Sequence, residues 1–302
     1  MGHNHSHDHD LLSGKRLLIS ILLNILITVS QVVGGLISGS LALISDAVHN
    51  LSDVISLIIS YGANLLSSKK KQTQYQTFGY KRAEIIAAFI NSASLIVIAV
   101  FLAVEAIKRL NEPREIISEI VIWLALIAIL GNGISVLLLK KDAKHNINMR
   151  AAYVHLISDF LTSVAVLAGG ILIKYFGINW LDSILTLFIS AYLLYMGWNI
   201  FVDSLKILML FAPKNLDIKT IENELLNIKE IQNIHHVHIW HLNDKDIHFE
   251  AHIEFKEDIK LSEFDQICRR VEQILSEKFD IHHSNLQPEY EREDQKDFII
   301  QD

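Results

Sequence analysis

A single cysteine, Cys268, excludes an intramolecular disulfide and any cysteine-rich zinc module. Only three prolines occur, Pro113, Pro213 and Pro288, and none interrupts the long apolar runs. Charge is scarcer still near the start: from Leu17 to Leu66 there is no Lys, Arg or Glu, and the only aspartates are Asp46 and Asp53. Net charge is −7, largely from the C-terminal part, so no basic face suits nucleic acid. No HExxH and no third-ligand motif accompany the histidines, which argues against a metalloenzyme.

What is present is hydrophobic length. Mean hydropathy is +0.31 over 302 residues, and several apolar runs exceed 18 residues, enough to cross a bilayer. The run from Leu17 to Leu66 is too long for one span and is broken near Gly34, Gly35, Ser38, Gly39 and Ser40. The pattern predicts an α-helical membrane protein with six transmembrane helices, at about 17–39, 41–66, 81–108, 116–139, 149–174 and 180–203. After Pro213 the composition turns charged and alternating, as in a second, water-facing domain.

Lys and Arg placement sets the expected orientation. Lys15 and Arg16 precede the first helix, Lys69, Lys70, Lys71, Lys81 and Arg82 follow the second, and Lys140, Lys141, Lys144 and Arg150 follow the fourth. The other side holds only Lys108, Arg109, Arg114 and Lys174. Both termini are therefore expected in the cytoplasm, with the first helix an uncleaved anchor in the cell membrane.

The pentad His49-Asn50-Leu51-Ser52-Asp53 returns about a hundred residues later as His155-Leu156-Ile157-Ser158-Asp159. An i, i+4 spacing sets histidine and aspartate on one helix face. Ionisable groups at membrane depth cost roughly 2.5–3.5 kcal/mol each on insertion scales, so they normally mark a pathway or a site. By the predicted topology both pairs fall near the midplane, where two imidazoles and two carboxylates suit tetrahedral Zn²⁺. Asp46 shares the face of His49; the sequence leaves open whether it orients that histidine, caps a helix or is an alternative ligand. Asn24, Gln31 and Asn132 read as helix–helix hydrogen-bonding residues.

The segments Ser45–Asp53, Phe78-Gly79-Tyr80-Lys81-Arg82-Ala83-Glu84 and His155–Asp159 resemble the cation diffusion facilitators, and the resemblance runs from about residue 15 to 290. It implies a homodimeric exporter in the lipid bilayer that exchanges cytosolic Zn²⁺ for H⁺ by alternating access, with His49, Asp53, His155 and Asp159 as the transport site. Export of Cd²⁺, Co²⁺, Fe²⁺ or Mn²⁺ is the alternative within the family, and a membrane metal sensor the alternative outside it. Some relatives carry a further metal site between helices 2 and 3. Here Gln72–Tyr80 has no His, Asp or Glu, so that site is expected to be absent. Arg82 matches a basic residue that pairs with an acidic one near the end of helix 6, here Asp203, or else it anchors at the headgroups.

Four regions are expected: a His-rich cytoplasmic tail at 1–14, the membrane domain at 15–208, a cytoplasmic metal-binding domain at 209–291 and a polar tail at 292–302. Residues 215–290 read as αββαβ, with a helix capped by Asp217, a cleanly alternating strand Ile247–Phe255, and a helix opened by a capping-box-like Ser262-x-x-Asp265. This arrangement resembles the ferredoxin-like α+β domain of the same family. Eight histidines crowd into fewer than fifty residues: 235, 236, 238, 241, 248, 252, 282 and 283. The resemblance implies His235, His252, His282 and Glu289 as ligands of a regulatory Zn²⁺, with His248 a further candidate. His3, His5, His7 and His9 form a metal-gathering tail in this reading, or a segment with no transport role.

Overall fold

The computed structural model describes residues 7–69, 74–75, 77–140, 147–214, 216–244 and 246–299. His3 and His5 lie outside the described residues, as do Gln72, Thr73 and Gln76. Two compact units divide the chain, one of residues 1–62 and 90–201, the other of residues 63–89 and 202–302.

Six long helices come first: α1 (His7–Ser38), α2 (Leu41–Lys69), α3 (Ala83–Asn111), α4 (Ser118–Leu139), α5 (Ile147–Phe176) and α6 (Trp180–Leu208). Among the described residues, four helical stretches are long and apolar enough to cross a membrane, within α3, α4, α5 and α6, and Leu22–Ser38 of α1 is a shorter apolar stretch. α1 starts at His7 rather than near Leu17. Hydropathy marks the lipid-thick portion of a helix and is blind to a polar turn that continues beyond it.

Small residues bring the helices of the first unit together. The buried stripe of α4 runs Ser118, Val121, Ala125, Ala128, Asn132, Ser135 and Leu139 at three- and four-residue steps, with Gly131 beside it. Such stripes let backbones approach where lipid removes the hydrophobic drive for helix pairing. Gly34 of α1 shows the closeness: a Cβ there would overlap the Leu124 side chain of α4. The core they enclose includes Ala42 and Leu43 of α2, Leu95 and Ala99 of α3, Val166 of α5 and Leu193 of α6. Large apolar side chains such as Leu26, Phe101, Leu130, Leu161 and Phe188 point outward, as lipid-facing residues do.

The start of α2 is fixed from elsewhere in the unit. Gly39, at φ +74°, makes the turn out of α1, and the Arg109 guanidinium donates to its carbonyl at 2.6 Å. Asp182 of α6 then caps α2: the Ser40 hydroxyl donates to it at 2.5 Å and the Leu41 amide at 2.8 Å. The first amides of a helix have no partner within it, so this buried carboxylate replaces the water they would otherwise need.

In the second unit the order is α7 (Ile218–Leu226), β1 (Ile231–His241), β2 (Ile247–Phe255), α8 (Leu261–Phe279) and β3 (His283–Glu289). β1 and β2 pair antiparallel, β2 and β3 parallel, in the order β1-β2-β3. The expected Asp217 cap is present, its side chain accepting from the Lys219 amide at 3.1 Å. α8 begins at Leu261, one residue before the expected Ser262. The Glu263 side chain accepts from the backbone N–H of Lys260 at 3.2 Å, so the carboxylate half of such a box sits two residues upstream of Ser262-x-x-Asp265. Phe249, Ala251, Ile253 and Phe255 bury one face of β2 against Ile267, Val271 and Leu275 of α8.

Candidate metal centres

His49 and Asp53 lie eight and twelve residues past the start of α2 at Leu41, and His155 and Asp159 lie eight and twelve past the start of α5 at Ile147. At 1.5 Å per residue both pairs are about 12 and 18 Å into their helices. Each histidine touches both aspartates. His49 Nε2 is 3.4 Å from Asp159 Oδ1 and its Nδ1 is 3.7 Å from Asp53 Oδ2. His155 Nε2 is 3.1 Å from Asp53 Oδ2 and 3.5 Å from Asp159 Oδ2. One ligand atom from each residue falls within 4.8 Å of all the others.

Proximity here is not hydrogen bonding. His49 Nε2, Asp53 Oδ2 and both carboxylate oxygens of Asp159 are buried with no hydrogen-bond partner. Buried polar atoms are normally satisfied, and leaving one unmade costs about 1–3 kcal/mol. The four residues together offer two imidazole nitrogens and two carboxylate oxygens, the usual count and chemistry for Zn²⁺.

Asp46 faces a different partner. The Gln31 amide of α1 donates to its Oδ2 at 2.6 Å, and Asn50 Nδ2 donates in turn to Gln31 Oε1 at 3.0 Å. This buried relay braces α1 against α2 on either side of His49. Gln31 thus bonds between helices as its sequence position implies. Tyr192 of α6, which sequence reasoning missed, packs edge-on to His49 with ring centroids 5.8 Å apart.

A second cluster lies in the other unit. His235 and His252 are directly opposed across β1 and β2, and Glu289 ends β3. His235 Nε2 is 3.0 Å from Glu289 Oε2, and His252 Nδ1 is 2.9 Å from Glu289 Oε1. Again His235 Nδ1 and Nε2 and His252 Nδ1 are buried without hydrogen bonds. Burial holds the His252 imidazole below the ordinary histidine range, against the pull of Glu289, which favours the neutral ring that metal binding needs. Asp294, not foreseen from sequence, is the fourth member of the cluster.

Two expected ligands stand elsewhere. His282 leaves the left-handed Asp280 turn toward α8, with Nε2 2.9 Å from Asp280 Oδ1 and Nδ1 3.0 Å from Ser276 Oγ. His248 packs between Trp240, His283 and Phe78, with centroids 5.4, 4.3 and 5.6 Å away. Neither joins the cluster within this chain. Asp203 pairs with Lys214 at 2.7 Å rather than with Arg82.

The family description "Cation efflux transmembrane domain" matches residues 17–209, and "Cation efflux protein, cytoplasmic domain" matches residues 213–291. The chain belongs to the cation efflux family. Members of this cation efflux group with similar sequences include a "Cadmium, cobalt and zinc/H(+)-K(+) antiporter" of Bacillus subtilis, 36% identical over 99% of this chain and 96% of that protein. The "Zinc transporter ZitB" of Pectobacterium atrosepticum is 34% identical over 97% of this chain and 90% of that one. A solved structure, the metal-bound C-terminal domain of the CzcD transporter from Cuprividus metallidurans, is 26% identical, covers 24% of this chain and 99% of that one, and has a TM-score of 0.22. A cation efflux protein is a transporter.

Proposed function

We propose that this chain exports Zn²⁺ from the cytosol in exchange for H⁺ by alternating access, as a homodimer in the cell membrane with both termini cytoplasmic. His49, Asp53, His155 and Asp159 form the transport site. The observation that carries this reading is that one nitrogen or oxygen from each of the four residues lies within 4.8 Å of all the others, with His49 Nε2, Asp53 Oδ2 and both Asp159 oxygens buried and unpartnered.

Imidazole with carboxylate suits Zn²⁺ and, less selectively, Co²⁺ or Cd²⁺; it is poor for Ca²⁺ and Mg²⁺, which want oxygen cages. The name of the Bacillus subtilis relative joins those same three metals to proton exchange. Each ligand must be deprotonated to hold the cation, so loading expels protons. Histidine titrates near neutral pH, so protons from the far side compete the cation off, and one set of groups carries both species.

In the cytoplasmic domain His235, His252 and Glu289 hold a regulatory metal ion. Binding there neutralises acidic charge where the two protomers' domains approach. The decisive experiment is zinc flux in proteoliposomes across an imposed pH gradient. Flux that rises with the gradient and is lost in a His155→Ala, Asp159→Ala protein supports the reading. Flux indifferent to pH removes the coupling, and flux retained in the double variant removes the site.

A further inference from the structure

The end of the chain, which composition marks as a polar tail, lies against the cytoplasmic-domain cluster. The His236 amide donates to the Asp297 carbonyl at 3.2 Å and the Val237 amide to the Phe298 carbonyl at 2.9 Å. Asn233 Nδ2 reaches the Lys296 carbonyl at 3.3 Å, and the Phe298 side chain packs on the domain core. β1 opens for this contact: its pairing with β2 is irregular between His235 and His238, and His236 sits at φ +52°. The segment therefore has fixed anchors, and it lies beyond residue 291, where the family match ends.

Its charges converge on Glu289. Lys296 Nζ lies 2.6 Å from Asp294 Oδ1, 3.3 Å from Glu289 Oε2 and 3.5 Å from Glu254 Oε1. Arg292 Nη1 donates to Glu289 Oε1 at 3.0 Å, and its Nε is 3.5 Å from Asp294. Asp294 Oδ2 is 3.7 Å from His235 Nε2. The carboxylate shared by both histidines thus already has two cationic partners from the strap, at the place a dication would bind.

We infer that residues 292–298 form a strap that completes the metal site of the cytoplasmic domain, with Asp294 as a fourth ligand and Lys296 as a built-in cation that must give up Glu289 before the site fills. This rests on reading His235, His252 and Glu289 as a metal site. The strap has two opposed effects. Asp294 adds an anionic oxygen and favours the loaded state, whereas Lys296 adds like charge to an incoming dication and favours the empty one.

The test uses the full-length protein in detergent, in a His155→Ala, Asp159→Ala background, titrated with zinc against a competing chelator. Backbone hydrogen exchange is followed at His236 and Val237. Asp294→Asn is expected to weaken binding about tenfold, and Lys296→Met to tighten it roughly three- to tenfold. Zinc is expected to slow exchange at the two amides, but not in Asp294→Asn. His235→Ala separates the two ideas. If His235→Ala leaves zinc binding unchanged, the cluster is not a metal site and the inference falls with it. If His235→Ala abolishes binding while Asp294→Asn and Lys296→Met alter neither affinity nor exchange, the site stands and the strap is overturned.

Discussion

His155 of α5 meets Asp53 of α2, with Nε2 3.1 Å from Oδ2, so the two HxxxD copies are crossed into one site rather than laid side by side. Each histidine has a partner on its own helix and another on the opposite one. Removing one ligand therefore loosens contacts on both helices. Asp159→Ala is expected to reduce zinc flux in vesicles at least about a hundredfold while the protein still elutes as a folded species. Flux within a few-fold of wild type would show that Asp159 is not a ligand.

Ligand softness offers a second handle. Replacing the imidazole of His49 by a carboxylate leaves one nitrogen and three oxygens, a harder set. His49→Asp should lower the ratio of zinc to manganese transport by roughly tenfold or more, measured as competing fluxes in one vesicle preparation. An unchanged ratio would place selection outside these four residues.

The Asp182 cap predicts a stability effect away from the metal. Asp182→Ala leaves the Ser40 hydroxyl and the Leu41 amide without an acceptor. Loss of a cap costs about 0.5–2 kcal/mol, and burial puts this one toward the upper end. A lower thermal midpoint in detergent is expected, with less flux per folded molecule. Ser40→Ala removes the hydroxyl that donates to Asp182 and accepts from the Leu43 amide at 3.1 Å but keeps the Leu41 contact to Asp182, and should also lower the midpoint.

Acid should weaken the cytoplasmic domain. Burial holds His241 below the usual histidine range; burial, with the nearby His283 and Lys81 charges, does the same for His248. Unfolding returns both to about 6.5, so just below that pH the unfolded chain binds more protons. The stability contributed by neutral rings is present above about 6.5 and is lost as pH falls through that value toward the folded pKa. Thermal midpoints of chelator-treated protein should therefore drop between about pH 7.5 and about pH 5.5, and His248→Gln should flatten part of that slope.

Much of this was legible in the residues because it depends on short-range pattern. Hydropathy locates the long helices, with starts within two residues of those expected except at α1. The alternation of Ile247–Phe255 gives both β2 and its buried face. The HxxxD spacing puts each histidine and its aspartate on one helix face because that spacing is a local property. The rest depends on contacts that no local pattern encodes. Asp182 caps a helix that starts 141 residues earlier. His248 sits on the alternating polar face of β2 yet is buried, because Phe78 and Trp240 pack over it. Asp294 is one acidic residue in an acidic tail, and the docking of Lys296, Asp297 and Phe298 on β1 and the core brings it to the histidines.

The carboxylate of Asp182 pins one end of α2, and a rod pinned at one end pivots like an oar in its lock. Displacement then grows with distance from Leu41, so Asp53, about 18 Å out, travels about one and a half times as far as His49 at about 12 Å. A rotation about that pin would widen the contact of Asp53 with His155 more than the contact of His49 with Asp159.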